Sequence, residues 1–141
     1  MERKGSAVWK GGLKDGHGTV SSNSGVLSNT PYSFTTRFEG TAGTNPEELI
    51  AAAHAACFSM ALSAQLAGAQ LTAESIHTNA ILTMEKLEAG WTITAVHLDV
   101  TARVPEADDA AFMTAAKAAE TGCPVSKVLN AKITMTANLE K

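Results

Sequence analysis

The pattern of apolar and polar positions changes period several times along the chain, and each change marks an element. The longest apolar stretch is central. No Asp, Glu, Lys or Arg occurs from Leu49 to Ala73. Leu49, Ala53, Cys57, Met60 and Ala64 recur there at helical spacing, with Ala56 and Ala61 beside them. This predicts a buried helix with a thiol on its inward face. Its start is marked by Thr44 or Asn45 as a cap, Pro46 at the first helical position, and Glu47 and Glu48 in the first turn, where the helix dipole favours negative charge. Gly68 breaks the run. The stretch is long enough to cross a bilayer, but it is built from Ala, Ser and Gln with His54 in its middle and has no basic flanks. A core helix is the better reading.

Before this helix, Ser6 to Lys10 suits a first strand. Gly16 to Ser22 and Gly25 to Leu27 are rich in Gly, Ser and Asn, which predicts an edge-like or bulged strand. Pro31 to Phe38 alternates, with Tyr32, Phe34, Thr36 and Phe38 on one face and Arg37 on the other, pointing away from the aromatics. After the helix, Ser75 to Lys86 and Trp91 to Val104 read as a hairpin joined at Glu88-Ala89-Gly90. Asp108 to Glu120 is Ala-rich and helical, with Gly122 expected as a left-handed cap. A short helix follows Cys123-Pro124, and Ile133 to Leu139 is a last strand. Strands, helix, hairpin, helices and strand make an α+β fold with largely antiparallel sheets and a buried central helix, in one domain over residues 1–141.

Composition removes several function classes. A formal net charge of -3 argues against a nucleic-acid partner, because phosphate binding needs a basic face. Aromatics at 5% are too few for a base-stacking platform. Met1 to Gly5 has no apolar run behind it, so no secretory signal is expected, which points to the cytoplasm and to no membrane association. In that compartment the two cysteines are expected to be reactive or buried rather than permanently bridged.

Cys57 lies mid-helix, and Cys123 stands just before a helix start, a position that favours the thiolate. They do not form a Cys-x-x-Cys motif, and two inert buried thiols are the plainer alternative. Arg37 can be a surface residue, Glu47 a simple dipole partner, and His54 a satisfied core histidine. The core reading of His54 is the plainer one; the alternatives are that it biases the thiol one turn away or joins both cysteines around zinc. His17, His77 and His97 show no ligand spacing.

Asn45-Pro46-Glu47-Glu48-Leu49, the Ala-Ala-His54-Ala-Ala-Cys57-Phe58 run, Gly122-Cys123-Pro124-Val125-Ser126 and Thr36-Arg37-Phe38-Glu39-Gly40 together resemble the OsmC/Ohr family of bacterial thiol peroxidases, its OsmC branch in particular. The likeness covers nearly the whole chain. It implies that Cys57 is the peroxidatic thiol and Cys123 the resolving thiol, closing an intramolecular disulfide after Cys57 becomes a sulfenic acid. It also implies that Arg37 stabilises the thiolate and polarises the peroxide, with Glu47 orienting the Arg. An intertwined homodimer, organic hydroperoxide substrates with hydrogen peroxide as a candidate second oxidant, and a dithiol reductant, lipoyl groups among the candidates, complete the implied picture. No metal, flavin or haem is expected. Ten residues separate Glu47 from Cys57, roughly 15 Å of helix. The expected site is therefore shared, with Arg37 and Glu47 from one subunit and Cys57 and Cys123 from the other. A redox-sensing or small-molecule-binding dimer without significant turnover is the competing reading.

Overall fold

A computed structural model describes all 141 residues. The chain is α+β in the expected order and divides into two compact units, Met1–Leu49 and Ile50–Lys141.

The first unit holds a three-stranded antiparallel sheet in the order β1 (Gly5–Lys10), β2 (His17–Ser22), β3 (Thr30–Tyr32). The expected edge-like β2 is instead the central strand, paired without a break to β1 from Gly5↔Ser22 to Lys10↔His17. Gly18 makes this possible. A Cβ there would lie 2.7 Å from the Trp9 ring and 2.8 Å from the Tyr32 ring. Those rings close over it at 5.5 Å between centroids. All six residues of β1 are exposed.

The strand expected over Pro31–Phe38 ends at Tyr32, and α1 (Phe34–Phe38) replaces its second half. Ser33 decides this. Its hydroxyl accepts from the Thr36 amide while the Thr36 hydroxyl accepts from the Ser33 amide, a closed capping box that starts a helix. Phe34 and Phe38 then pack one turn apart with their rings tilted, 4.9 Å between centroids. Arg37 does not turn away from the aromatics. Its guanidinium carbon sits 5.1 Å from the centre of the Phe38 ring.

Helix α2 (Pro46–Gly68) starts in the first unit and continues into the second. Asn45 is its cap, accepting from the Glu48 amide at 2.8 Å. The buried stripe is His54, Phe58, Leu62 and Leu66, not the Leu49-to-Ala64 series. Ala53, Ala56 and Ala64 are exposed, Met60 is 77% exposed, and Cys57 lies on the flank of the stripe. Large side chains four apart fill the core, whereas alanine is apolar on any face and carries little directional information. The helix is thus buried on one face only. It is long and apolar enough to cross a membrane by length and composition, a test that a one-sided core helix also passes. Gly68 is its last residue. The turn that ends it is made by Gln70 at φ 61, with Leu71 N–H bonded to the Leu66 carbonyl and Gln70 N–H to that of Ala67, a Schellman closure.

The second unit carries the sheet β4 (Ser75–Leu87), β5 (Gly90–Arg103), β6 (Lys132–Glu140). Glu88 and Ala89 turn the hairpin, and Gly90 at φ 119 supplies its left-handed corner. β6 pairs parallel to β5, from Ala95↔Lys132 to Arg103↔Glu140, because α3 (Asp109–Gly122) and α4 (Pro124–Val128) carry the chain back before it re-enters the sheet. Val96, Leu98, Val100 and Ala102 of β5 form one core with the α2 stripe and with Phe112, Ala115, Ala116 and Ala119 of α3. Gly122 is helical rather than left-handed. The break falls at Cys123 (φ -59, ψ 125) because a residue preceding proline is pushed out of the helical region.

Candidate active site

The four residues singled out from sequence fall as two pairs, Arg37 with Glu47 in the first unit and Cys57 with Cys123 in the second.

In the second unit, α2 presents Cys57 one turn after His54. The extended backbone at Cys123, imposed by Pro124, ends α3 and sets the second thiol against the first. The sulfurs are 2.9 Å apart, and both cysteines are free. Cys123 is fully buried and Cys57 half-buried. Burial pushes the Cys57 thiol up, its hydrogen bond with Cys123 pushes the same way, and the Val125 amide only partly opposes them. No cation offsets the rise. Burial would raise Cys123 as well. There the hydrogen bond with Cys57, the Ser126 amide and hydroxyl, and the Val125 amide outweigh it, so its net shift is down. No side-chain cap hydrogen bond of ordinary geometry joins Cys123 to α4. The groups around its sulfur favour the thiolate without forming a regular cap. Of the two thiols, Cys123 is therefore the more acidic.

His54 is fully buried, with Nε2 2.8 Å from the Ser126 Oγ and Nδ1 unpartnered. Burial lowers its pKa, so the ring is neutral. No three His, Cys, Asp or Glu side chains converge as a metal-ligating group. The zinc alternative is left without its cluster, since His54 turns Nε2 to a serine instead.

In the first unit, α1 carries Arg37 and the first turn of α2 carries Glu47. Arg37 Nε donates to both Glu47 oxygens at 3.0 and 3.1 Å, and Nη2 donates to Oε1 at 2.6 Å. This fork fixes the guanidinium in one orientation. Asn45 joins the two helices. While its Oδ1 caps α2, its Nδ2 donates to the Thr36 carbonyl at 3.1 Å. Beside the guanidinium, Trp9, Leu13, Tyr32, Ser33, Phe34 and Phe38 line a cavity of about 240 Å³.

Sequence reasoning did not give roles to Ser126 or to the second bond of Asn45. Ser126 stands one turn after Cys123 in a motif already singled out, and that spacing was its only signal.

Two free thiols in contact, one lifted and one lowered in pKa, on an α+β frame define a cysteine-based redox protein. A family model described as OsmC-like protein matches residues 38–138, and the chain belongs to the OsmC family. It is 51% identical to Peroxiredoxin OsmC of Escherichia coli (strain K12) over 140 residues, 99% of this chain and 98% of that one. The organic hydroperoxide resistance protein OhrB of Bacillus subtilis shares the fold at 24% identity, covering 97% of this chain and 98% of its own, with a TM-score of 0.68. An OsmC-like protein of Mycoplasma pneumoniae does so at 14% identity, covering 100% and 99%, with a TM-score of 0.78. At these identities the structural likeness is one of fold.

Proposed function

We propose that the chain is a thiol peroxidase that reduces organic hydroperoxides, with hydrogen peroxide as a second substrate. The observation that carries this is the 2.9 Å pair of free thiols. The Cys57 thiolate attacks a peroxide oxygen, the O–O bond breaks, and the alkoxide leaves as an alcohol after taking a proton. Cys57 becomes a sulfenic acid. The Cys123 sulfur then attacks it, the S–O bond breaks, hydroxide leaves with a proton as water, and a disulfide forms. An external dithiol, lipoyl groups among the candidates, returns two electrons and two protons. A pair kept reduced in this way suits a reducing compartment and supports a cytoplasmic location.

Cys57 needs a cation, because its own surroundings raise its pKa. We assign that part to Arg37, oriented by Glu47, and assign the chain to a homodimer of single OsmC-like domains in which each site takes Arg37 and Glu47 from one subunit and both cysteines from the other. The exposed β1, with Val8 54% and Trp9 37% accessible, and the open face of α2 with Met60 support association.

Free thiols and peroxide consumption, followed after reduced protein meets cumene hydroperoxide, test the chemistry. Wild type should lose both thiols and turn over with a dithiol. Cys123→Ser should react once, Cys57→Ser not at all, and Arg37→Ala slowly. Equal rates for Cys57→Ser and wild type defeat the assignment, and thiol loss without turnover favours a redox sensor. Sharing has its own test. When slow Arg37→Ala and inactive Cys57→Ser chains are unfolded and refolded together in equal amounts, random pairing rebuilds about a quarter of the sites to wild type if they are shared and none if they are not.

A further inference from the structure

His54 takes no part in the chemistry above, yet it is fully buried, with one ring nitrogen bonded and the other orphaned. Resting on the thiol–disulfide reading, we infer that His54 and Ser126 form a two-donor chain, His54 Nε2–H to Ser126 Oγ and Ser126 O–H to Cys123 Sγ, that holds the resolving sulfur ready as a nucleophile and as a leaving group.

The hydrogen count fixes the direction. Ser126 lies one turn after Cys123, and its hydroxyl is among the groups that favour the Cys123 thiolate. A serine has one hydrogen to donate. Spent on sulfur, it leaves Oγ as an acceptor, so the 2.8 Å contact with His54 must carry a proton on Nε2. The tautomer is then set, and Nδ1 holds only a lone pair. Nδ1 is the ring atom that has no partner. The other tautomer would bury an unbonded N–H, the less tolerated orphan. Burial keeps the ring neutral, so it acts as a fixed dipole and not as an imidazolium.

Two steps gain. In the forward direction, the Cys123 thiolate attacks the Cys57 sulfenic acid, the S–S bond forms, the S–O bond breaks, and the departing hydroxide takes a proton from solvent to become water. Donors on Cys123 keep its charge in place beside Cys57, 2.9 Å away. In the return direction, the thiolate of the dithiol attacks the Cys57 sulfur, the S–S bond breaks, and Cys123 departs as a thiolate that the same donors receive. Exposure agrees with this polarity, because Cys123 is fully buried and Cys57 is the open sulfur. His54 and Ser126 are therefore positioning residues.

The test uses Ser126→Ala and His54→Leu, which remove a donor, against Ser126→Thr and His54→Gln, which keep one. In a Cys57→Ser background the ultraviolet thiolate absorbance of Cys123 at neutral pH should fall about tenfold with Ser126→Ala, the weight of one charge-assisted hydrogen bond, and return with Ser126→Thr. In otherwise wild-type protein given one equivalent of cumene hydroperoxide, dimedone should trap Cys57 sulfenic acid in the two donor-less variants and little in the two rescues. An unchanged thiolate signal in Ser126→Ala, or rescues that behave like the donor-less variants with circular dichroism intact, overturns the inference. Wild type that forms no sulfenic acid or disulfide defeats the peroxidase reading instead, and the thiolate absorbance alone then decides the donor chain.

Discussion

Replacing Asn45 with Ala removes two bonds that a single side chain provides. One is the cap on α2, Oδ1 accepting from the Glu48 amide at 2.8 Å; the other is Nδ2 donating to the Thr36 carbonyl at 3.1 Å. A lost N-cap costs about 1 kcal/mol. A lost part-buried hydrogen bond costs about 1 kcal/mol more. The expected destabilisation is therefore about 2 kcal/mol, which moves a urea midpoint by about 1 M if the denaturant slope is near 2 kcal/mol per M. Asn45→Asp separates the two parts. It keeps the acceptor, adds negative charge where the helix dipole favours it, and loses only the donor to Thr36. It should lie midway or closer to wild type. Urea unfolding followed by far-ultraviolet circular dichroism measures both variants. A loss below about 0.5 kcal/mol for Ala, smaller than a single cap, or an Asp variant as unstable as Ala, would refute the two-bond account.

Three further outcomes are expected. Glu47→Gln removes the charge that holds Arg37 in its fork; peroxide kcat/KM should fall about tenfold or more, while the unfolding free energy from urea titration changes by less than about 1 kcal/mol, since Arg37 is 37% exposed. Gly18→Ala drives a Cβ to 2.7 Å from the Trp9 ring and the Val8 carbonyl and should destabilise by about 1–3 kcal/mol with a changed near-ultraviolet spectrum; Gly5→Ala, whose nearest neighbour lies at 3.6 Å, should be tolerated. His54 has a folded pKa below its ordinary value near 6.5, so the unfolded chain binds the extra proton, and the stability that its neutral ring provides is present above that value and lost as pH falls below it. Stability against pH should be flatter on the acid side in His54→Gln, and an unchanged acid slope would contradict the neutral assignment.

The elements that were legible are those in which two independent signals agree. The β4–β5 hairpin shows alternation, and a glycine stands where the turn needs a positive φ. Asn45, Pro46, Glu47 and Glu48 all point to one helix start. The misreadings arise where one signal stood alone. Phe34 and Phe38 fit a strand face and a helix face equally well, because positions four apart satisfy both periods; the Ser33–Thr36 capping box breaks the tie. On α2 the alanines obscured the orientation, and the stripe that Phe58, Leu62 and Leu66 define includes a histidine that a hydrophobicity pattern passes over. The parallel setting of β6 has no local code, since it depends on where α3 and α4 return the chain. The cysteines were legible because their flanking residues form a specific motif. The part played by Ser126 was not, because its partner lies 72 positions away in sequence.

Cys57 and Cys123 compete for one negative charge, and the outcome bears on when the protein reacts. Within the second unit the charge goes to Cys123, which has amide and hydroxyl donors, while burial holds Cys57 protonated. The peroxidatic role proposed for Cys57 needs the opposite order. Each tenfold change in the thiolate ratio corresponds to about 1.4 kcal/mol of differential stabilisation, well within the reach of one oriented guanidinium in a partly desolvated site. Arg37, held by three hydrogen bonds to Glu47, is such a group. On the shared site proposed above, it arrives with the second subunit, so association itself moves the charge from the resolving thiol to the peroxidatic one. The donors on Cys123 regain the advantage once Cys57 is oxidised, because a sulfenic acid no longer competes for the charge. The sequence of steps then follows from which sulfur is the better anion at each stage.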